Sequence, residues 1–222
     1  MLAHSPRIVT DGLVLCLDAG NTKSYPGSGT AWTDLSGNGN NGTLVNGGGY
    51  SGNNLGSLSF DGGDDYISTP VAGTFSQITF EFMGFFDDPT LDTLSRRESA
   101  FGDWTNGRVH FATRYSGGAA MHFNVNNVWN TTPTTNLRYG WNHYLLVYDT
   151  VNNLKRVYLN NILSSSVGTN GNMIIGDFRI GVATNLNRYY RGNIANFKIY
   201  NRALTESEIQ QNFNALRGRF SI

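Results

Sequence analysis

The period of its apolar residues constrains this chain more than any single motif. Apolar and polar residues alternate through ten short segments: Leu13–Asp18, Leu58–Phe60, Tyr66–Ser68, Ile78–Phe86, Arg108–Tyr115, Met121–Asn126, His143–Asp149, Lys155–Leu159, Asp177–Val182 and Gly192–Tyr200. A period of two sends successive side chains to opposite faces of a strand, so each segment has one face to bury. Asn-Gly and Gly-Gly pairs recur between the segments, and both residues tolerate the positive φ of tight turns. The chain carries 27 Gly and only 5 Pro, which suits many such turns. Helical period appears once, over Thr205–Arg217, where Ile209, Phe213 and Leu216 make one stripe. Thr205 and Glu208 spell a capping box at its start, and Gly218 follows as a C-terminal stop. These patterns predict an all-β sandwich of antiparallel sheets, with one short C-terminal helix plugging an end. At 222 residues it needs neither disulfide nor metal for stability. Residues 11–222 read as a single domain and residues 1–10 as an N-terminal arm, whose apolar-basic character suits docking on a partner subunit.

One hairpin can be placed in register. Pairing Tyr115 with Met121 and Phe111 with Val125 sets apolar side chains opposite one another. Arg108, His110, Arg114, His122, Asn124 and Asn126 then share the other face, which is either solvated or lines a groove. Trp104 in GDWTNG, Trp129 in NNVWNTT, and Tyr189 and Tyr190 fall in or beside loops, where an aromatic ring can serve as a platform for a sugar. The carbohydrate-binding set expected from the sequence is therefore Trp104, Trp129, Arg108, His110, Arg114, His122, Asn124 and Tyr189.

Other chemistries are thinly supported. The formal net charge is zero and the basic residues are scattered, so no stripe exists to track the phosphates of a nucleic acid. No apolar run approaches the length of a membrane span. Arg7 and Asp11 interrupt the place where a signal peptide carries its apolar stretch, so classical secretion is not expected. Cys16, the single cysteine, lies in an apolar run and reads as a buried, inert thiol. Glu81 is the only glutamate inside a strong strand, and its same-face neighbours Thr79, Met83 and Phe85 are not acidic. A retaining glycosidase needs a second carboxylate about 5–5.5 Å away, so a non-enzymatic protein is expected. His110 and His122 lack a third partner for a metal.

The stretch WTDLSGNGNNGTL, residues 32–44, imitates two ligand loops. Its G-x-G-x-x-G has no helix after it to hold a pyrophosphate. Its calcium-like spacing puts Val45 where a bidentate Glu must close the loop. It reads instead as a turn cluster. No cofactor is required by the sequence, and calcium has weak candidates at strand ends in Asp18, Asp61, Asp64 and Asp65.

Taken in order, LVLCLDAGN (13–21), WTDLSGNGNNGTL (32–44), SLSFDGGDDYIS (57–68), Gly140-Trp141-Asn142-His143, Val157-Tyr158-Leu159-Asn160-Asn161 and Gly192-Asn193-Ile194 through Tyr200-Asn201-Arg202-Ala203-Leu204 resemble the laminin-G-like domains of the concanavalin-A-like lectin/glucanase superfamily. The resemblance implies a two-sheet antiparallel jelly-roll sandwich. Where the family's closing strand carries an acidic pair this chain has Ala195 and Asn196, which removes a metal ligand. The segments 8–21 and 200–222 also resemble virion proteins of tailed bacteriophages, which serve as head-decoration, fibre or tail-associated parts. That likeness implies a place in the virion, other virion proteins as partners, multiple copies per particle and host-surface polysaccharide as a contact. A carbohydrate-binding adhesin is the alternative, and a glycoside hydrolase a weaker one.

Overall fold

The computed structural model describes residues 7–86, 99–105, 109–112, 120–133, 140–184 and 188–222. In chain order its strands begin with β1 (Leu13–Asp18), β2 (Ala31–Trp32), β3 (Gly42–Val45), β4 (Tyr50–Ser51), β5 (Ser57–Asp61) and β6 (Tyr66–Ser68). They continue with β7 (Gly73–Phe75), β8 (Gln77–Phe86), β9 (Ser99–Asp103), β10 (Val109–Ala112), β11 (Ala120–Val125) and β12 (Val128–Pro133). The last are β13 (Gly140–Asp149), β14 (Leu154–Leu159), β15 (Ile162–Val167), β16 (Met173–Ile175), β17 (Arg179–Ile180) and β18 (Arg191–Tyr200), before helix α1 (Glu206–Phe220). Two antiparallel sheets form a sandwich. The first runs β15-β14-β13-β8-β18-β5-β4, with β1 also paired to β18, and the second runs β12-β11-β10-β9-β17-β6-β3-β2.

Alternation decides what fills the space between the sheets. Phe80, Phe82, Tyr144, Leu146 and Phe197 of the first sheet meet Phe101, Phe111, Phe123 and Ile180 of the second, all buried. Phe82 stacks on Tyr144 with ring centres 4.6 Å apart, and Phe80 on Phe101 at 4.8 Å. Each such side chain contributes about 1.5–3 kcal/mol by leaving water. Cys16 is buried as well, and burial pushes its thiol up to about 11, which makes it a poor nucleophile.

The β10–β11 register differs from the expected one. Phe111 pairs with Phe123, not Val125, and His110 with Asn124. Alternation fixes a register only to the nearest two residues. Here Phe111 stacks on Phe101, and Asn126 and Asn127, both at positive φ, turn the chain from β11 into β12. The expected Tyr115 pairing lies outside the described residues.

The helix also departs from expectation. The capping box forms, with Thr205 and Glu208 satisfying one another's backbone N–H. The helix then passes through Gly218 to Phe220, and Ser221 takes the left-handed cap. A helical glycine costs about 1 kcal/mol. That cost is offset by burial of Phe220 against Trp141 and by Arg219, whose Nη1 donates to Asp18 at 2.7 Å. Rather than plugging an end, α1 lies across the outer face of the first sheet, over Met83, Ala195 and Leu145. Residues 7–10 lie against it: the Val9 N–H donates to Asn212 Oδ1 at 2.7 Å, and Gln211 donates to the Arg7 carbonyl.

The turn cluster at 32–44 closes the free edge of β1. Asp34 accepts from the N–H groups of Cys16, Ser36 and Asn40 and from the Ser36 hydroxyl, at 2.7–3.0 Å. The side chains of Asn40 and Ser36 donate to the Val14 carbonyl, and that of Asn38 donates to the Leu13 carbonyl. Gly37 and Gly39 turn at φ 88° and 74° between these anchors. Strand edges left unpaired invite aggregation, and here polar side chains stand in for the missing strand.

Candidate functional site

Three polar constellations stand out, and their exposure separates structural from functional roles. The first is sealed. Glu81 projects from the outer face of β8 into the space beneath α1, fully buried. Its carboxylate meets Lys198 Nζ at 3.1 Å, His143 Nε2 at 3.1 Å and Asn212 Nδ2 at 2.6 Å. Burial alone would raise its pKa, yet Lys198 and His143 hold it down to about 2. A carboxylate walled in by a helix and two strands has no route to a glycosidic bond. Its role is to tie α1 to the sheet.

The second constellation is the outer face of the second sheet, where most of the expected sugar-binding set was placed. Register aligns one residue from each of seven strands, β11 to β2, across it: Asn124, His110, Gly102, Arg179, Ser68, Thr43 and Ala31. The row has two halves. In the half on β11, β10 and β9, His110, His122 and Asn124 are buried, against the expectation of a solvated or groove-lining face. His110 Nε2 lies 2.7 Å from Ser99 Oγ, and the Trp104 ring packs edge-on to His110 at 5.9 Å. Trp104 is half-buried rather than exposed. Gly102 ends this half. A Cβ there would stand 2.4 Å from the Val109 carbonyl and 2.9 Å from the Ala183 methyl, so that methyl fills the place of a side chain. Trp129 pairs opposite Asn124 in β12, but its side chain, like Arg108 and Arg114, lies outside the described residues.

The other half, on β17, β6 and β3, is open. Arg179 donates through Nε and Nη2 to both oxygens of Asp177, at 3.2 and 2.9 Å, and its guanidinium lies 4.7 Å over the Tyr66 ring. The side chains of Arg179 and Asp177 remain 31% and 43% exposed. Tyr189 is half-buried. Tyr190 instead turns inward, buried, and donates to the Phe85 carbonyl. The platform is fixed from below by Asp103, which is buried and accepts from the N–H groups of Gly176 and Asp177 at 2.6 and 2.8 Å. Asp103 also holds Thr184 and, through it, the Trp104 backbone. With Asp177 on one side of the fork, Arg179 keeps three N–H donors for another group. Rigid guanidinium donors stacked on Tyr66 and a carboxylate acceptor beside them are what pairs of sugar hydroxyls require. Sequence reasoning missed Tyr66, Asp177 and Arg179. The signal available was the outward phase of Tyr66 and Arg179 in segments already read as strands.

The third constellation is the β5–β6 corner. Ligand oxygens of Asp61, Asp64 and Asp65 lie within 4.8 Å of one another. Burial raises the pKa of Asp65, and the neighbouring Asp61 and Asp64 raise it further. Three crowded carboxylates suit a hard cation such as calcium. Asp18, expected with them, stands elsewhere in ion pair with Arg219. Asn196, in the place of a family acid, accepts from Lys198 Nζ at 3.2 Å instead. No described helix is long and apolar enough to cross a membrane.

The family model described as the concanavalin A-like lectin/glucanases superfamily matches residues 61–210. No curated protein matches the chain in sequence. Among solved structures, domain 4 of the extracellular GH43 arabinanase AbnA from Geobacillus stearothermophilus, in complex with arabinotriose, superposes with a TM-score of 0.69 at 18% identity, over 91% of this chain and 98% of that one. The binding domain of Paraclostridial Mosquitocidal Protein 1 gives 0.70 at 18% identity, over 93% and 52%. The botulinum neurotoxin serotype D ligand-binding domain, in complex with N-acetylneuraminic acid, gives 0.71 at 12% identity, over 92% and 51%. The chain thus spans about half the length of the toxin domains. At these identities the likeness is one of fold.

Proposed function

The chain belongs to the concanavalin A-like lectin/glucanase superfamily, and from that premise we propose that it is a non-catalytic glycan-binding module. The observation that carries this reading is the half-exposed Tyr66–Arg179–Asp177 platform, held rigid by buried Asp103. Preorganised donors and acceptors bind without first losing side-chain freedom. The one glutamate within a described strand, Glu81, is sealed under α1, which supports binding without turnover. Two similar structures hold sugars, arabinotriose and N-acetylneuraminic acid, and lend the reading support at the level of fold.

A glycan array with the wild type, Tyr66→Ala and Arg179→Ala tests it. Loss of a charged hydrogen-bond donor costs about 1.5–3 kcal/mol, so Arg179→Ala should weaken binding roughly 10- to 100-fold. A wild type that binds no glycan, or variants that bind as the wild type does, would overturn the assignment. We further infer a setting on tailed-bacteriophage particles, as a head-decoration, fibre or tail-associated protein that contacts host polysaccharide. Its support is the resemblance carried by residues 8–21 and 200–222. Electron microscopy of particles labelled with an antibody to this chain should show label at one repeated position. Unlabelled particles would remove the setting and leave the binding proposal standing.

A further inference from the structure

The row across the second sheet loses its cover in one direction. Asn124, His110 and Gly102 are buried, Arg179 and Ser68 half-buried, and Thr43 and Ala31 exposed. The step falls at Gly102. There the chain at Ala183 crosses the row in a parallel bridge, its methyl standing where a side chain of residue 102 would be. Thr184 follows, 3% exposed, and its hydroxyl accepts from the Trp104 N–H at 3.0 Å and donates to Asp103 at 3.3 Å. Trp104 lies two residues beyond Gly102, so it falls on the same face and extends this wall along β9. The wall and the Tyr66–Arg179–Asp177 platform share an anchor, because Asp103 also accepts from the Asp177 N–H at 2.8 Å. The two are therefore fixed relative to one another. Toward the other side the row drops to Thr43 and Ala31 and runs out at β2, the last strand of the sheet.

We propose, resting on the reading of the platform as a glycan site, that it takes the end of a linear glycan rather than a stretch within one. The terminal unit lies against the wall, on Arg179 and Asp177, and the following units leave over Ser68, Thr43 and Ala31. An internal unit is linked on both sides, and one of its two continuations would have to pass through Ala183 and Trp104. A terminal unit keeps as a hydroxyl the oxygen that an internal unit spends on its second linkage. That hydroxyl both accepts and donates, which matches the free edge of Arg179 and the carboxylate of Asp177. From Arg179 to Ala31 the row crosses three strand spacings, roughly 14 Å, and room for about three units follows. Ser68 and Thr43 offer hydroxyls along the way out.

The test is titration calorimetry of the full chain with unbranched arabinan, xylan, β-glucan and mannan ladders, one to six units long, and with the matching polymers. Binding that Arg179→Ala abolishes should strengthen at least tenfold from one unit to about three and then level off. Mole for mole, a polymer should bind no better than its hexamer, because both carry the same ends. Thr43→Arg, a bulky side chain at an exposed position, should weaken the three-unit glycan at least tenfold and leave the single sugar unchanged. A polymer that takes up protein in proportion to its length would mean that chains lie through the site, and would overturn the proposal. So would a Thr43→Arg variant that binds the three-unit glycan as the wild type does. In either case Arg179-dependent binding would leave the platform standing. A wild type that binds no ladder would remove platform and proposal together.

Discussion

Replacing Glu81 by Gln keeps the shape of the side chain and removes one negative charge from the space between β8, β13, β18 and α1. Lys198, its side chain 3% exposed, would lose its anionic partner at 3.1 Å and be left with neutral acceptors, the amide oxygen at position 81 and Asn196 Oδ1. Breaking a buried pair from one side costs about 3–5 kcal/mol. Linkage gives a second estimate. The carboxyl falls from 4.5 to about 2 on folding, and at 1.36 kcal/mol per pKa unit this amounts to about 3 kcal/mol. The two routes agree near 3 kcal/mol, or roughly 6–12 °C in Tm for a domain of this size. The sign is fixed by the depressed pKa. The stabilisation is complete above pH 4.5 and disappears as pH falls through about 2, because the unfolded chain then binds the proton first. Urea unfolding of wild type and Glu81→Gln should therefore show a wide gap at pH 7 that narrows steadily below pH 4.5. A gap under about 1 kcal/mol at pH 7, or one that keeps its width in acid, would refute the reasoning, because either means that α1 does not depend on the charge.

Two further outcomes follow from the same structure. Asp34→Ala removes four hydrogen bonds at the edge of β1 and should cost about 2–4 kcal/mol in urea unfolding, while a loss under 1 kcal/mol would mean that the loop caps nothing. Calcium, for which the sequence offered weak candidates, is proposed to bind at the Asp61–Asp64–Asp65 corner. Calcium at about ten times its Kd should then raise the wild-type Tm by roughly 3–6 °C and leave Asp64→Asn unmoved, and an unmoved wild type would remove the ion from the account.

The sheets and their inner faces were legible because period two survives in the central strands. Phe80 and Phe82, Phe111, Phe123 and Tyr144 all fall in phase and all face the core. Strands such as SAFGD, VWNTTP and ILSSSV were not legible, because they carry no apolar alternation. The helix start was written in its capping box. Its end was not, because Phe220 and Arg219 gain partners that only the folded sheet supplies. The same limit explains the site. Alternation put His110, His122 and Asn124 together on one face, yet the pattern holds no information about what covers that face. Arg179 and Asp177 are two apart in sequence, and only the pairing of β17 with β6 brings them to Tyr66.

The most direct measurement is a crystal structure of the domain soaked with the oligosaccharide that binds most tightly on the array. The account predicts a sugar at the Tyr66–Arg179–Asp177 platform, with a hydroxyl or carboxylate on the free edge of Arg179. A sugar bound at any other face, with this platform left as it is, would contradict it.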